Sequence, residues 1–284
     1  MILIFFIFIL IYIIKFWLKK TTLEGIKYKI DDSYKNNYKI SLSLIPVFNS
    51  NYDNYLEFYN MIDYIDKSEP NDNMYEKSKI SIKIRQFGRT SAGRLYNIEK
   101  LLSYAKKRKI FVWIATVFTS DLEDEYNTFL YFKKRGYDNL GLTLSTQNKE
   151  VSEKVDNLLK MKCNIRLVKG YYNGDIKHWN VVSNIYLINA VKLVKSNIYH
   201  CIATHDFKII NELKCYNNNP NIEYAFFYQS KKYVFHNLLL YNLSLKHKSF
   251  YIHYGDPIYY LRDNFFHVDK YNICIRFLNS LSYY

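Results

Sequence analysis

Apolar, β-branched runs recur along the chain at Ile80 to Ile84, Ile110 to Val117, Leu140 to Leu144, Asn164 to Val168, Ile198 to Ala203, Ile222 to Phe227 and Ser249 to Tyr254. Between them lie amphipathic or lysine-rich stretches long enough for helices, among them Asn97 to Arg108, Leu122 to Arg135 and Ser152 to Met161. The spacing, about 25 to 35 residues, is that of a strand-plus-helix unit. Units of this kind joined by right-handed crossovers make either an open doubly wound sheet or a closed (βα)8 barrel. No GxGxxG follows any of the runs, which removes the main support for a dinucleotide fold. The pattern therefore predicts an α/β protein built as a (βα)8 TIM-like barrel. One strand remains to be placed, and Lys39 to Val47 is the stretch that offers it.

The first residues follow a different pattern. Met1 to Ile14 carries no charge; Lys15, the Phe16-Trp17-Leu18 triplet and Lys19-Lys20 follow. Lys15 can snorkel and Trp17 suits an interface, so residues 1–20 read as a retained N-terminal transmembrane helix with no cleavage site. Lysines on its carboxyl side place the following domain on the cytosolic or an equivalent reducing side. Residues 21–77 read as a helical or irregular lead-in. It contains aromatic residues at helical spacing (Tyr55, Phe58, Tyr59, with Ile62) and a polar loop from Ser68 to Asn73. The barrel is expected over residues 78–284.

Composition narrows the function classes. Hydrophobic residues make up 49% and charged residues 23%, with 30 Tyr and 19 Phe, which excludes global disorder. The net charge of +14 could attract nucleic acid. The lysines are scattered and no recognition signature accompanies them, so no nucleic-acid partner is expected. Cys163, Cys201, Cys215 and Cys274 lack CxxC spacing and a His-x-His companion, so neither a metal site nor a disulfide framework is predicted.

Ligands of α/β barrels bind at the carboxyl ends of the strands. The polar residues there are Lys83 and Arg85, Thr116, Ser145 with Gln147, Arg166 with Lys169, Thr204 with His205 and Asp206, Glu223, and Tyr251 with Tyr254. Asn164 to Tyr172 stands out, because alternation along a strand puts Arg166 and Val168 on one face and Leu167 and Lys169 on the other. Several cations, a histidine and few carboxylates suit an anionic ligand. The paired carboxylates of glycoside hydrolysis are missing.

These blocks resemble the proline dehydrogenases, including the proline dehydrogenase domain of proline-utilisation proteins. IRLVKGYY (Ile165 to Tyr172) resembles the family's RLVKGAY block and CIATHD (Cys201 to Asp206) its ATHN block. ISIKIRQFG (Ile80 to Gly88), VWIA (Val112 to Ala115) and IEYAFFYQ (Ile222 to Gln229) resemble SVKLSxLG, VWID and EFQxLxG. FYIHYG (Phe250 to Gly255) followed by YYLRDNF (Tyr259 to Phe265) resembles the closing YxPYG and YLxRRLxEN pair. The resemblance implies a distorted (βα)8 barrel that binds FAD and oxidises L-proline, or a related imino acid, to 1-pyrroline-5-carboxylate, with a membrane quinone as acceptor. It implies that Arg166, Val168, Lys169, Thr204 and His205 contact FAD. Lys83, Tyr251 and Arg262 would act on the substrate, with Arg262 holding its carboxylate, while Leu167 and Tyr172 would wall the pocket.

The chain also departs from the family. Asp263 stands beside Arg262 where the family has a second arginine, at a cost on the order of 3 kcal/mol or more in carboxylate binding. Ala115 replaces an active-site aspartate, and Tyr171 replaces a small alanine. These changes gather on the substrate side. They set the expectation of proline oxidation with impaired activity against a catalytically inactive, membrane-anchored scaffold or regulator.

Overall fold

The structure, a computed structural model, describes residues 22–45, 55–70, 73–116, 121–170, 174–216 and 219–255. Eight parallel strands close into a barrel in chain order. They are β1 (Lys39–Ile45), β2 (Lys79–Ile82), β3 (Val112–Ile114), β4 (Leu140–Ser145), β5 (Asn164–Val168), β6 (His200–Ala203), β7 (Ile222–Phe227) and β8 (His247–Gly255). The helices are α1 (Leu23–Lys35), α2 (Glu57–Ser68), α3 (Ser91–Lys107), α4 (Leu122–Lys134), α5 (Val151–Lys160), α6 (Trp179–Lys195), α7 (Phe207–Leu213) and α8 (Lys231–Leu240). The seven runs seen in the sequence each carry a strand, and the eighth lies at Lys39–Ile45.

That eighth strand moves a boundary. β1 pairs with β2 on one side and with β8 on the other, so the barrel begins within the segment expected to be a lead-in, and the division at residue 78 does not hold. Thr22 caps α1 by accepting from the Gly25 N–H at 3.1 Å, an arrangement that satisfies one of the orphan donors of a helix start. α1 packs on β8 and β1. Among the described residues, then, the helix that covers the closing seam is the one that precedes β1. The transmembrane segment expected over residues 1–20 lies outside the described residues. Within them no helix is long and apolar enough to cross a membrane.

Strand alternation sorts the side chains into two layers. Ile40, Leu42, Ile80, Ile82, Val112, Ile114, Leu142, Leu144, Ile165, Leu167, Ile202 and Ile252 belong to the large core between strands and helices. Phe111, Trp113, Tyr199, Cys201 and Ala225 form a second, separate cluster in the lumen. The Trp113 indole takes the room left by Gly141 on the neighbouring strand, where a Cβ would sit 2.3 Å from its ring. Barrel interiors are usually filled with branched apolar side chains, whereas this one also buries charge. Lys79 Nζ meets Glu223 Oε2 at 2.6 Å across the lumen, from the first residue of β2 to the second of β7. Lys79 also donates to the Tyr75 and Lys77 carbonyls at 3.1 and 2.8 Å, and Glu223 accepts from the Tyr199 and Ser249 hydroxyls, each at 2.7 Å. Burial pushes the Glu223 carboxyl up, but the Lys79 charge and the hydrogen bonds from Lys79, Ser249 and Tyr199 outweigh it and hold the group below the ordinary carboxylate range.

Candidate active site

The cationic mouth of the barrel is built on β5. Arg166 is 5% exposed and points into the lumen. Its Nε donates to Thr143 Oγ1 on β4 at 2.9 Å, and its Nη2 crosses to Ser81 Oγ on β2 at 2.7 Å. The guanidinium lies 5.3 Å from the Trp113 ring and 5.1 Å from the Tyr251 ring, within the range of cation–π attraction. Among the described residues no carboxylate lies within salt-bridge distance of it. Hydroxyls and ring faces orient the charge but do not neutralise it, so the lumen holds a buried cation suited to an anionic or electron-rich guest.

Lys83 continues the lumen-facing series Lys79, Ser81, Lys83 and is half-buried, whereas the resemblance implied a buried lysine. The fully buried lysine of this strand is Lys79, at the opposite end. Tyr251 and His253 alternate with buried residues on β8, their rings edge to face at 4.4 Å, and Phe227 stacks on His253 at 6.0 Å. Burial, then the charges of Lys83, Arg166 and Lys29, lowers the His253 pKa to about 3. Its imidazole is therefore neutral at physiological pH.

The loop after β5 is fixed from two directions. Lys169 Nζ meets Asp206 Oδ2 at 2.5 Å, and Asp206 in turn caps α7 by accepting from the Ile209 N–H. The Lys169 carbonyl accepts from Thr146 Oγ1 at 2.8 Å. Gly170 follows with φ +97°, and a Cβ there would lie 2.7 Å from Gln147 Cγ and from Ser145 Oγ. Only glycine suits both the conformation and the close approach. Gly170→Ala is expected to destabilise the chain by about 2 kcal/mol through left-handed strain and displacement of Gln147, a loss readable as a lower urea midpoint. The Gln147 amide is itself notable, because its Oε1 is buried and accepts no hydrogen bond within the described residues.

Thr204 and His205 follow β6. The Thr204 hydroxyl accepts from the Asp206 N–H at 3.1 Å, and His205 Nε2 accepts from the Phe227 N–H at 3.0 Å. Burial holds the His205 pKa to about 4. The ring stacks on Phe226, which ties the end of β6 to that of β7. His205 thus has a structural contact whether or not it also meets a cofactor.

The structure brings Lys83, Arg166, Tyr251, Val168 and the Lys169–Asp206 pair to one mouth, but it separates other expected residues from it. Leu167 belongs to the outer core against the helices, with the Tyr186 hydroxyl donating to its carbonyl at 3.3 Å. Its alternation with Arg166 prevents it from walling a pocket in the lumen. Tyr254 faces outward and donates to Glu57 on α2 at 3.0 Å. Glu223 lies near the amino-terminal end of β7, not at its carboxyl end. Arg85 pairs with Asp121 at the surface, and Thr116 donates to the Thr143 carbonyl at 2.6 Å. Tyr172 and Arg262, together with Tyr171 and Asp263, lie outside the described residues. Sequence reasoning missed Ser81, Thr143, Trp113 and His253, all lumen-facing. Their alternation with buried apolar neighbours was the signal that could have found them.

No family model matches the sequence, and no curated protein matches it. Among solved structures the chain is similar to a variant of proline utilization A from Bradyrhizobium japonicum, at 17% identity and a TM-score of 0.69 over 86% of this chain and 29% of that one. It is similar also to proline utilization A with proline bound in remote sites, at 17% identity and a TM-score of 0.68 over 80% of this chain and 28% of that one. A structure described as bifunctional proline utilization A matches at 17% identity and a TM-score of 0.67. The chain spans less than a third of the length of these proteins, and at this identity the likeness is one of fold.

Proposed function

We propose that this chain is a divergent proline dehydrogenase-like oxidoreductase that binds FAD and oxidises L-proline or a related cyclic imino acid to 1-pyrroline-5-carboxylate. The observation that carries the reading is Arg166, a buried cation with no acidic partner among the described residues, set on the strand whose sequence resembles the family's flavin block. The neighbouring residues fit such a group. Gln147 offers a buried carbonyl oxygen with no hydrogen-bond partner among the described residues, and Gly170 brings the backbone close where any side chain would collide. The flavin, when bound, supplies the acceptor for the electron pair lost from the imino acid's C–N unit.

The chain's own residues have the remaining tasks. Arg166, Val168, Lys169, Thr204 and His205 line the flavin. Asp206 holds Lys169 in place, so that lysine serves as an oriented donor instead of a mobile charge. Lys83 and Arg262 attract the substrate carboxylate, while Tyr251 and Tyr172 wall its ring and exclude water. Residues 1–20 anchor the barrel to a membrane, where a quinone can accept the electrons. Leu167 is left out of the pocket because it faces the helices.

Ala115, the residue just past β3 where the resembling pattern has aspartate, favours a second reading. In it the chain keeps the flavin site but serves as an inactive, membrane-anchored scaffold or regulator. One absorbance experiment on the full chain in detergent separates the readings. Flavin bands that bleach on anaerobic addition of excess L-proline are the expected result. Bands that persist favour the scaffold, and a chain that cannot be reconstituted with FAD removes both.

A further inference from the structure

We infer that Ser81 and Thr143 are positioning residues that keep the Arg166 guanidinium oriented across the lumen and uncompensated, and that they thereby make the site favour the reduced over the oxidised flavin. The inference rests on the flavin reading above and extends it to two residues to which the resembling blocks assign no role. Buried arginines ordinarily meet carboxylates, because an isolated charge is expensive to bury. Here the two directed hydrogen bonds of Arg166 among the described residues go to neutral hydroxyls, at 2.9 Å to Thr143 and 2.7 Å to Ser81. Each hydroxyl is fixed by its place on the barrel wall. Ser81 is 0% and Thr143 2% exposed, and Thr143 pairs in register with Arg166 itself.

A carboxylate at either position would hold the arginine equally well but cancel its charge. Hydroxyls hold it and leave the charge available. Two-electron reduction of a flavin with uptake of one proton leaves a net negative charge on the ring system near neutral pH. In a low-dielectric lumen a fixed cation strengthens binding of that charged form far more than binding of the neutral oxidised ring. The orientation matters because the cation–π contacts with Trp113 and Tyr251 are less directional than hydrogen bonds and do not by themselves fix the plane of the guanidinium.

The test is reductive titration of the full chain, reconstituted with FAD, against a reference dye, with dithionite supplying the electrons. Ser81→Ala and Thr143→Val are expected to bind oxidised FAD within about threefold of the parent. Their preference for the reduced form should fall at least tenfold, which lowers the midpoint potential by about 30 mV per tenfold. Thr143→Ser, which keeps the hydroxyl, should restore the parent value. Ser81→Cys supplies a folded, weaker-acceptor variant if Ser81→Ala does not accumulate, and its potential should fall between those of Ser and Ala. Variants that hold FAD at the parent potential overturn the inference and leave the flavin reading standing. A parent chain that binds no FAD overturns both.

Discussion

Replacing Glu223 with Gln is expected to cost about 3 to 5 kcal/mol of folding stability, the range found when one partner of a buried ion pair is removed. Among the described residues the carboxylate, 2.6 Å from Lys79, is its one counter-charge, and the two side chains are 3% and 1% exposed. A glutamine keeps the volume, but its single carbonyl oxygen replaces only one of the two oxygens that accept from Tyr199 and Ser249, and it leaves the ammonium uncompensated in the lumen. Lys79→Met should cost a similar amount by stranding Glu223. Combining Lys79→Met with Glu223→Met should recover most of either loss, since paired buried charges are often replaceable by apolar residues of like size. Urea unfolding of the parent, Lys79→Met, Glu223→Met and the double variant gives the cycle, and a Glu223→Gln loss below about 1 kcal/mol would remove the claim that this pair is tightly coupled. The same pair makes a pH statement. Because the folded pKa of Glu223 is depressed, its contribution is present above the unfolded value near 4.5 and is lost as pH falls through the folded one.

The barrel is also expected to lose stability steeply between about pH 6.5 and pH 4. His200 is wholly buried, with its Nδ1 accepting from the Ile165 N–H at 3.2 Å and its pKa held by burial to about 3. His205 and His253 are held to about 4 and about 3. In the unfolded chain all three titrate near the ordinary value of 6.5. Below that pH the unfolded state binds protons that the folded state refuses, so stability rises with pH across the window and falls as the solution is acidified. One histidine in that position contributes at most about 1.4 kcal/mol per pH unit. Three of them, two partly exposed, would give roughly 3 kcal/mol per pH unit; the Glu125 carboxyl, pushed up by burial to about 8, keeps its proton in the folded state and offsets about half of that, which leaves roughly 1.5. Urea midpoints measured from pH 4 to pH 8 should show this slope, and His200→Asn should reduce it by about one histidine's share. A flat profile in this range is the outcome against it.

How much of this was legible in the sequence depended on which layer a residue joins. The outer face of each strand must be apolar to pack on the helices, and so Ile80, Val112, Leu142, Ile165 and Phe226 announced their strands. β1 was harder to recognise because Ser41 and Ser43 alternate with Ile40, Leu42 and Leu44. A half-polar run reads as a surface strand when its polar side in fact lines a lumen. Arg166 could be singled out because a charge in a β-branched run is locally conspicuous. Its partners could not, since Ser81 and Thr143 are ordinary residues brought to it only by closure of the barrel. The family blocks gave the order of the strands correctly, but they carried Leu167 to the wrong side, where simple alternation had already placed it outward. Lys79 and Glu223 showed no signal of their pairing, because nothing local links the start of the second strand to that of the seventh.

The closing seam of the barrel has a consequence for synthesis of the chain. Lys39 is in register with Ser249 and Ile45 with Gly255, so β1 leaves the ribosome long before the strand that completes it. Roughly two hundred residues must follow before its second edge can be paired. Until then the nascent chain presents an open strand edge, the feature through which unfinished sheets capture one another. A message truncated before codon 247, ahead of β8, would yield a sheet with two free edges, and its product should be recovered as aggregate while the full-length chain remains dispersed.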